Sequence, residues 1–242
     1  SSLHGIVLMG SPLDKEPCKR YMKVLTPNIF NGYGTTETFW NVFLRPYDLP
    51  DKAGYAGGAC TDDDVRVVRV DTTKHVSPDE LVPMDKETVG EVVIFAPNKS
   101  TFAYYDNPKT TEEKFHNGWL YTGDLATWDE HAYITIIGRK DDMIVSAGEN
   151  IYPVQVESIL NEHPKVAESL VFGIPDPKRG SVIAALIRPS DPSLTEKEMK
   201  QFCMNHPMLA PYKRPRIFRF VKELPHNATG KLLHKLPPDF KF

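Results

Sequence analysis

Apolar residues in this chain come in short runs, and their spacing changes character near residue 140. Residues 4–9 form an apolar run closed by Gly10-Ser11-Pro12, which predicts a buried strand ending in a turn. Residues 14–24 follow as a polar helix whose apolar positions are Tyr21, Met22, Val24 and Leu25. Residues 65–70 (VRVVRV) and 91–96 (EVVIFA) predict strands of a β-rich subdomain over about 52–110, joined by a polar, proline-containing excursion. Residues 107–113 (NPKTTEE) suggest a turn and a short capped helix. Over residues 132–137 the alternation predicts a strand with Ile134 and Ile136 on one face.

Beyond Asp141 the pattern is α/β. Pro153 suits the first position of a helix with Val156, Ile159 and Leu160 on its apolar face, ended by His163-Pro164. Residues 166–172, 181–187 and 216–221 predict three strands. Thr195 with Glu198 reads as a capping box opening a helix that carries Met199, Phe202 and Cys203 inward. The natural boundary is Lys140-Asp141, giving domains 1–140 and 141–242.

Composition narrows the partners. At 242 residues, 40% hydrophobic, 25% charged and net charge −3, the chain matches neither a nucleic-acid binder nor a protein of anionic membranes. No apolar run reaches the roughly 18 residues of a transmembrane helix. Three scattered cysteines, Cys18, Cys60 and Cys203, argue for a reducing compartment, and no histidine pair has zinc-enzyme spacing. The expected location is intracellular and cytoplasmic, or the mitochondrial matrix if the source is eukaryotic.

Residues 118–153 concentrate the candidate chemistry. Asp124 follows Gly123, so the backbone can bend sharply and present an exposed carboxylate. Gly138-Arg139-Lys140-Asp141-Asp142 is a charge run between apolar stretches, which alone would read as a solvated turn. Residues 146–150 then form a glycine loop opening a helix. Upstream, residues 32–38 (GYGTTET) join two glycines, an aromatic face, hydroxyls and a carboxylate, a set suited to phosphate and a hard cation. The same stretch also reads as a loop-to-helix transition capped by Thr35 or Thr36. At the far end Gly230-Lys231 sits in a loop, as a delivered catalytic lysine or as a surface one.

Four of these stretches, in order, resemble signatures of the adenylate-forming superfamily. They are YGTTE at 33–37, GWLYTGD at 118–124, GRKDDMI at 138–144 and Gly-Lys at 230–231. GENIYP at 148–153 and LAPYKRPR at 209–216 are most similar to acyl- and aryl-CoA ligases such as 4-chlorobenzoate-CoA ligase. The resemblance covers nearly the whole chain. It implies the end of a large α/β domain with a β-rich subdomain, followed by a small mobile α+β domain.

The implied reaction is ATP-dependent: a carboxylate forms an acyl-adenylate, and the thiol of coenzyme A then displaces AMP. By resemblance Tyr33 stacks on adenine beside Gly10, Ser11 and Pro12, with Gly34, Thr35 and Ile136 lining the nucleotide. Thr36 holds the α-phosphate, and Glu37 binds Mg²⁺. Asp124 takes the ribose hydroxyls with Arg139 at the same sugar, and Lys231 bridges carboxylate and phosphate. Asp141 is the hinge, Gly148 lines the pantetheine passage, and Tyr212 and Arg214 meet the CoA nucleotide.

The pattern also departs from the family. The Ser/Thr/Gly-rich phosphate loop is missing, so the chain is expected to be the C-terminal portion of a longer enzyme, or to need a second chain. Val145, Ala103, Ser181 and the Glu130-His131 pair replace common residues, and His234 sits where the terminal motif often has arginine. A non-catalytic nucleotide- or CoA-binding module and an adenylation domain that loads a carrier protein are the alternative readings.

Overall fold

The computed structural model describes residues 2–228 and 232–234. They divide into two compact units, Ser1–Lys140 and Asp141–Phe242.

The first unit holds two sheets. Strand β1 (Ile6–Met9), helix α1 (Lys15–Val24) and strand β2 (Ile29–Thr35) form a parallel pair with a helical crossover. β2 turns back into β3 (Phe39–Leu44), and β4 (Gly58–Ala59) completes the order β1-β2-β3-β4. Thr35 therefore ends a strand, and the helix expected after it is a hairpin turn at residues 36–38.

β1 is an edge strand rather than a buried one. Ile6 and Leu8 face the core around Cys18, Ile29 and Leu44, whereas Val7 and Met9 are 46% and 54% exposed. The helical stripe also differs from expectation. Cys18 is the buried residue of α1, with Met22 packed one turn on, while Tyr21, Val24 and Leu25 are exposed. Leu13, just before the helix, is buried in the same cluster as Cys18.

The second sheet contains β5 (Asp64–Val68), β6 (Gly90–Phe95), β7 (Phe115–His116), β8 (Trp119–Trp128) and β9 (Ile134–Arg139). Its order is β5-β6-β8-β7, with β9 also on β8 and every pairing antiparallel. The sheet thus runs past residue 110 to Arg139. One face carries Val92, Ile94, Leu120, Ala126 and Trp128, and the other Val68, Val93 and Tyr121. Helix α2 (Pro108–Lys114) enters between β6 and β7, its first turn capped by Asn107 Oδ1 accepting from the Thr110 N–H at 3.1 Å.

Strand β8 bulges at the candidate acid. Tyr121 pairs with Val93 and Leu125 with Glu91, so residues 122–124 stand opposite Val92 alone. Gly123 has φ +73°, a conformation that suits glycine.

In the second unit β10 (Ile144–Ser146) and β11 (Glu149–Ile151) form a hairpin. Its turn is Ala147-Gly148, both at positive φ, so the expected glycine loop is paired backbone. Helix α3 (Pro153–Leu160) starts at its proline and buries Val156 and Leu160. β12 (Val166–Asp176), β13 (Gly180–Pro189) and β14 (Ile217–Phe220) make a three-stranded sheet, its last pair parallel around helix α4 (Glu196–Asn205). Thr195 Oγ1 caps α4 by accepting from the Glu198 N–H at 3.2 Å. The Glu198 carboxylate turns to Lys165, 3.0 Å away, so only half of the capping box stands. Met199 and Cys203 are buried and Phe202 is half-buried, as the pattern predicts.

Candidate active site

The hairpin β2–β3, the bulge of β8 and the end of β9 converge in the first unit. Met9 lies opposite Gly32, so the turn Gly10-Ser11-Pro12 leaves the sheet beside Tyr33, at the C-terminal ends of the two parallel strands. Ligands of open α/β sheets bind at that end. The three turn residues are exposed.

Tyr33 is held by its hydroxyl, which donates to Asp124 Oδ2 at 2.7 Å. Burial, and then the Asp124 carboxylate, push the Tyr33 phenol well above its ordinary value. Arg139 lies directly across from Asp124 in the β8–β9 register and donates through Nη1 to Asp124 Oδ1 at 2.7 Å and to the Thr122 carbonyl at 2.9 Å. Asp124 is thus no exposed acid; its side chain is 16% accessible and both its oxygens are engaged. Each oxygen keeps acceptor capacity, since a carboxylate offers about four lone-pair directions. Ile136 sits half-buried opposite Ala126 in the same ladder.

Gly34 is where a side chain cannot go. A Cβ there would lie 1.8 Å from the Phe39 carbonyl oxygen, so the tightness of the β2–β3 turn demands glycine. Thr35 Oγ1 meets Thr38 Oγ1 at 3.0 Å, and Thr36 stands exposed in the turn. The Glu37 carboxylate accepts from the Tyr104 hydroxyl. Burial alone would raise the Glu37 pKa. The hydrogen bond from Tyr104, then those from the backbone and Thr35, outweigh it and hold the carboxyl below its ordinary range. Burial, and then Glu37, push Tyr104 up to about 12. An ionised carboxylate among hydroxyls is the hard-oxygen set that Mg²⁺ takes.

The structure adds two residues that the motifs do not name. Tyr104 is one; its only trace in the sequence is the aromatic cluster just before the Asn107 cap. Lys114 is the other. Its ammonium and Arg139 Nη2 would lie 3.2 and 3.1 Å from a Cβ placed on Gly123, so two cations flank the bulge.

The second-unit candidates are more dispersed. Asp141 is exposed in a single 3-10 turn, Lys140–Asp142. Gly148 tops the β10–β11 hairpin; a Cβ placed there would meet nothing within 4 Å, and φ +87° is its local requirement. Tyr212 is 46% exposed in the short 3-10 helix Pro211–Lys213. Arg214 donates its Nε–H to the Leu209 carbonyl at 3.1 Å. Gly230 and Lys231 lie outside the described residues.

Residues 1–105 match the family described as AMP-binding enzyme, and residues 155–231 match the AMP-binding enzyme C-terminal domain. A long-chain-fatty-acid–CoA ligase of Escherichia coli O157:H7 is 33% identical across 97% of this chain and 40% of its own length. A 2-succinylbenzoate–CoA ligase of Bacillus cereus is 37% identical across 97% of this chain and 46% of its own. Among solved structures, o-succinylbenzoate CoA synthetase (MenE) from Bacillus subtilis with the acyl-adenylate OSB-AMP superposes with TM-score 0.81. It is 33% identical and is covered over 47% of its chain, against 100% of this one. ATP-bound MatB from Rhodopseudomonas palustris gives 0.80 at 27% identity, over 94% of this chain and 43% of that one. The chain therefore spans about half the length, or somewhat less, of the relatives it matches. It belongs to the adenylate-forming superfamily of AMP-binding enzymes.

Proposed function

We propose that this chain is the nucleotide- and CoA-handling portion of an ATP-dependent carboxylate–CoA ligase. The observation that carries the reading is the Tyr33–Asp124–Arg139 cluster, a carboxylate positioned by an arginine and a phenol beside the C-terminal ends of parallel strands. MenE structures with AMP, with OSB-AMP and with ATP and a magnesium ion support it.

In the first step a substrate carboxylate oxygen attacks the α-phosphorus of ATP, the bond to the β-phosphate breaks, and pyrophosphate leaves. Asp124 orients the ribose through its free lone pairs, and Arg139 holds Asp124 in place. Tyr33 and the Gly10-Ser11-Pro12 turn flank the base, with Gly34, Thr35 and Ile136 lining the same slot. Thr36, exposed in its turn, donates to the α-phosphate. Glu37 would hold Mg²⁺, which when bound offsets phosphate charge. Lys231 neutralises the charge that builds between carboxylate and phosphate. In the second step the CoA thiolate attacks the acyl carbon, and the bond to AMP breaks. Gly148, Tyr212 and Arg214 serve CoA, and Asp141 is the pivot between the two half-reactions.

The Ser/Thr/Gly-rich phosphate loop is not in this sequence, and we place the acyl pocket outside it too; the edge strand β1, with Val7 and Met9 exposed, is where further sheet would add. A preceding stretch of polypeptide or a second chain would supply both. The acid follows from that part; the relatives take long-chain fatty acids and 2-succinylbenzoate. The reaction partners are thus a small carboxylic acid, ATP and CoA. No helix among the described residues is long and apolar enough to cross a membrane.

The test is pyrophosphate release from ATP with alkyl and aryl acids, by this chain alone and joined to the missing portion of a relative. Acid-dependent release by the joined protein, lost in Lys231→Ala, supports the ligase. AMP binding with no release in any combination leaves the non-catalytic module. Transfer to a phosphopantetheinylated carrier but not to CoA gives the carrier-loading enzyme.

A further inference from the structure

Two histidines flank the Gly230-Lys231 segment, and each meets a glutamate on a different element. Before it, His226 Nε2 lies 2.8 Å from Glu168 Oε1 on β12, and Nδ1 lies 2.9 Å from the Leu224 carbonyl. After it, His234 Nε2 lies 2.9 and 3.2 Å from the two oxygens of Glu157 on α3. Between them, His226 and Leu232 form an antiparallel bridge, and the Leu233 N–H donates to the Pro225 carbonyl at 2.9 Å. We propose that His226 and His234 are positioning residues which, through Glu168 and Glu157, fasten both ends of the lysine-bearing segment to the second unit. This rests on Lys231 acting in adenylate formation.

The protonation follows from the partners. A carbonyl and a carboxylate only accept, so His226 donates from both ring nitrogens and is the imidazolium. Glu157 is a buried carboxylate that already accepts from the Val171 N–H at 2.7 Å, so His234 donates to it through Nε2. Asp142 Oδ2 lies 3.9 Å from His234 Nδ1, placing a second carboxylate on the other edge of the ring. Arg188 shares Glu168 with His226, its Nε 3.4 Å from Oε2, and opposes the imidazolium charge. A buried carboxylate keeps its charge only when paired, which makes His234 the stronger fastening. His226 is the weaker, solvent-facing one.

The first pair is proton-dependent. Its hydrogen bond to Glu168, foremost, raises the His226 pKa above the ordinary imidazole value. That fastening is therefore complete below the unfolded imidazole pKa and is lost as pH rises through the raised one. Lysine delivery should loosen from the His226 side at alkaline pH.

Hydrogen–deuterium exchange of the full chain tests this without relying on activity. His234→Ala, Glu157→Gln and His226→Gln should each speed exchange of residues 224–228 and 232–234 by about tenfold or more, leaving β13 unchanged. His234→Arg, which keeps a donor toward Glu157, should restore protection. Unchanged exchange in all variants, or equal loss across β12 and β13, overturns the proposal. In the completed enzyme, His234→Ala should slow adenylate formation and spare thioester formation from added acyl-adenylate. Exchange that moves while adenylate formation does not would keep the fastening and discard the role given to Lys231.

Discussion

Tyr33 and Asp124, 91 residues apart in sequence, share a 2.7 Å hydrogen bond that ties the β2–β3 hairpin to the bulge of β8. The phenol and Arg139 hold one carboxylate oxygen each. Removing the hydroxyl keeps the ring and the arginine, whereas removing the carboxylate removes the acceptor we propose for the ribose. Tyr33→Phe should therefore weaken AMP binding by about threefold at most. Asp124→Ala should weaken it by about ten- to a hundredfold, the worth of hydrogen bonds to a charged group. Calorimetric titration with AMP measures both, and equal losses would remove the ribose role from Asp124.

Tyr104 sets the charge of Glu37. The carboxyl is lowered in the folded state, so its contribution to stability is present above the unfolded value and is lost as pH falls through the folded one. Without the phenol, burial acts with less opposition. Tyr104→Phe should raise the Glu37 pKa, read by NMR titration of its carboxyl carbon, and move the acid limb of Mg²⁺-dependent nucleotide binding to higher pH. An unmoved titration would mean that Thr35 and the backbone suffice.

Gly123→Ala tests the bulge. The new Cβ would lie 3.1 Å from Arg139 Nη2 and 3.2 Å from Lys114 Nζ, both ends of flexible side chains, so the backbone at φ +73° is the larger obstacle. The expected loss is about 1–2 kcal/mol in urea unfolding, the usual penalty for a left-handed residue with a side chain. AMP binding should fall further, because Arg139 must shift.

Glu91 is buried, with Lys140 Nζ 2.6 Å from Oε2 and the Gly123 N–H 3.2 Å from Oε1. Lys140→Ala strands that charge. Removing one partner of a buried pair costs about 3–5 kcal/mol, and the 22% exposure of Lys140 lowers this to about 2 kcal/mol. Adding Glu91→Gln should recover part of it, and a double-mutant cycle in urea shows whether it does.

Features written in neighbouring residues were legible. Pro153 opens α3, Asn107 and Thr195 cap their helices, and Met199 and Cys203 face the core, because each depends on contacts within a turn or two. What depended on distant pairing was not. Val7 and Met9 look buried until β1 proves to be an edge. Thr35 looks like a cap until Phe39 pairs with it. Asp124 looks exposed until Tyr33 and Arg139 arrive from other strands. Tyr104 could not be read from its neighbours, since nothing local marks a phenol destined for a carboxylate 67 positions away.

The bulge of β8 inserts two extra residues, an even number, between the pairs Tyr121–Val93 and Leu125–Glu91. Side chains of a strand alternate, so an odd insertion would send everything after it to the opposite face. An even one leaves parity intact. Leu120 before the detour and Ala126 and Trp128 after it all point into one core, as an uninterrupted strand would place them. The carboxylate thus rides on a segment with which the packing keeps no account. The polar residues at 122–124 can be tuned for a nucleotide without the hydrophobic interior having to be rebuilt around them.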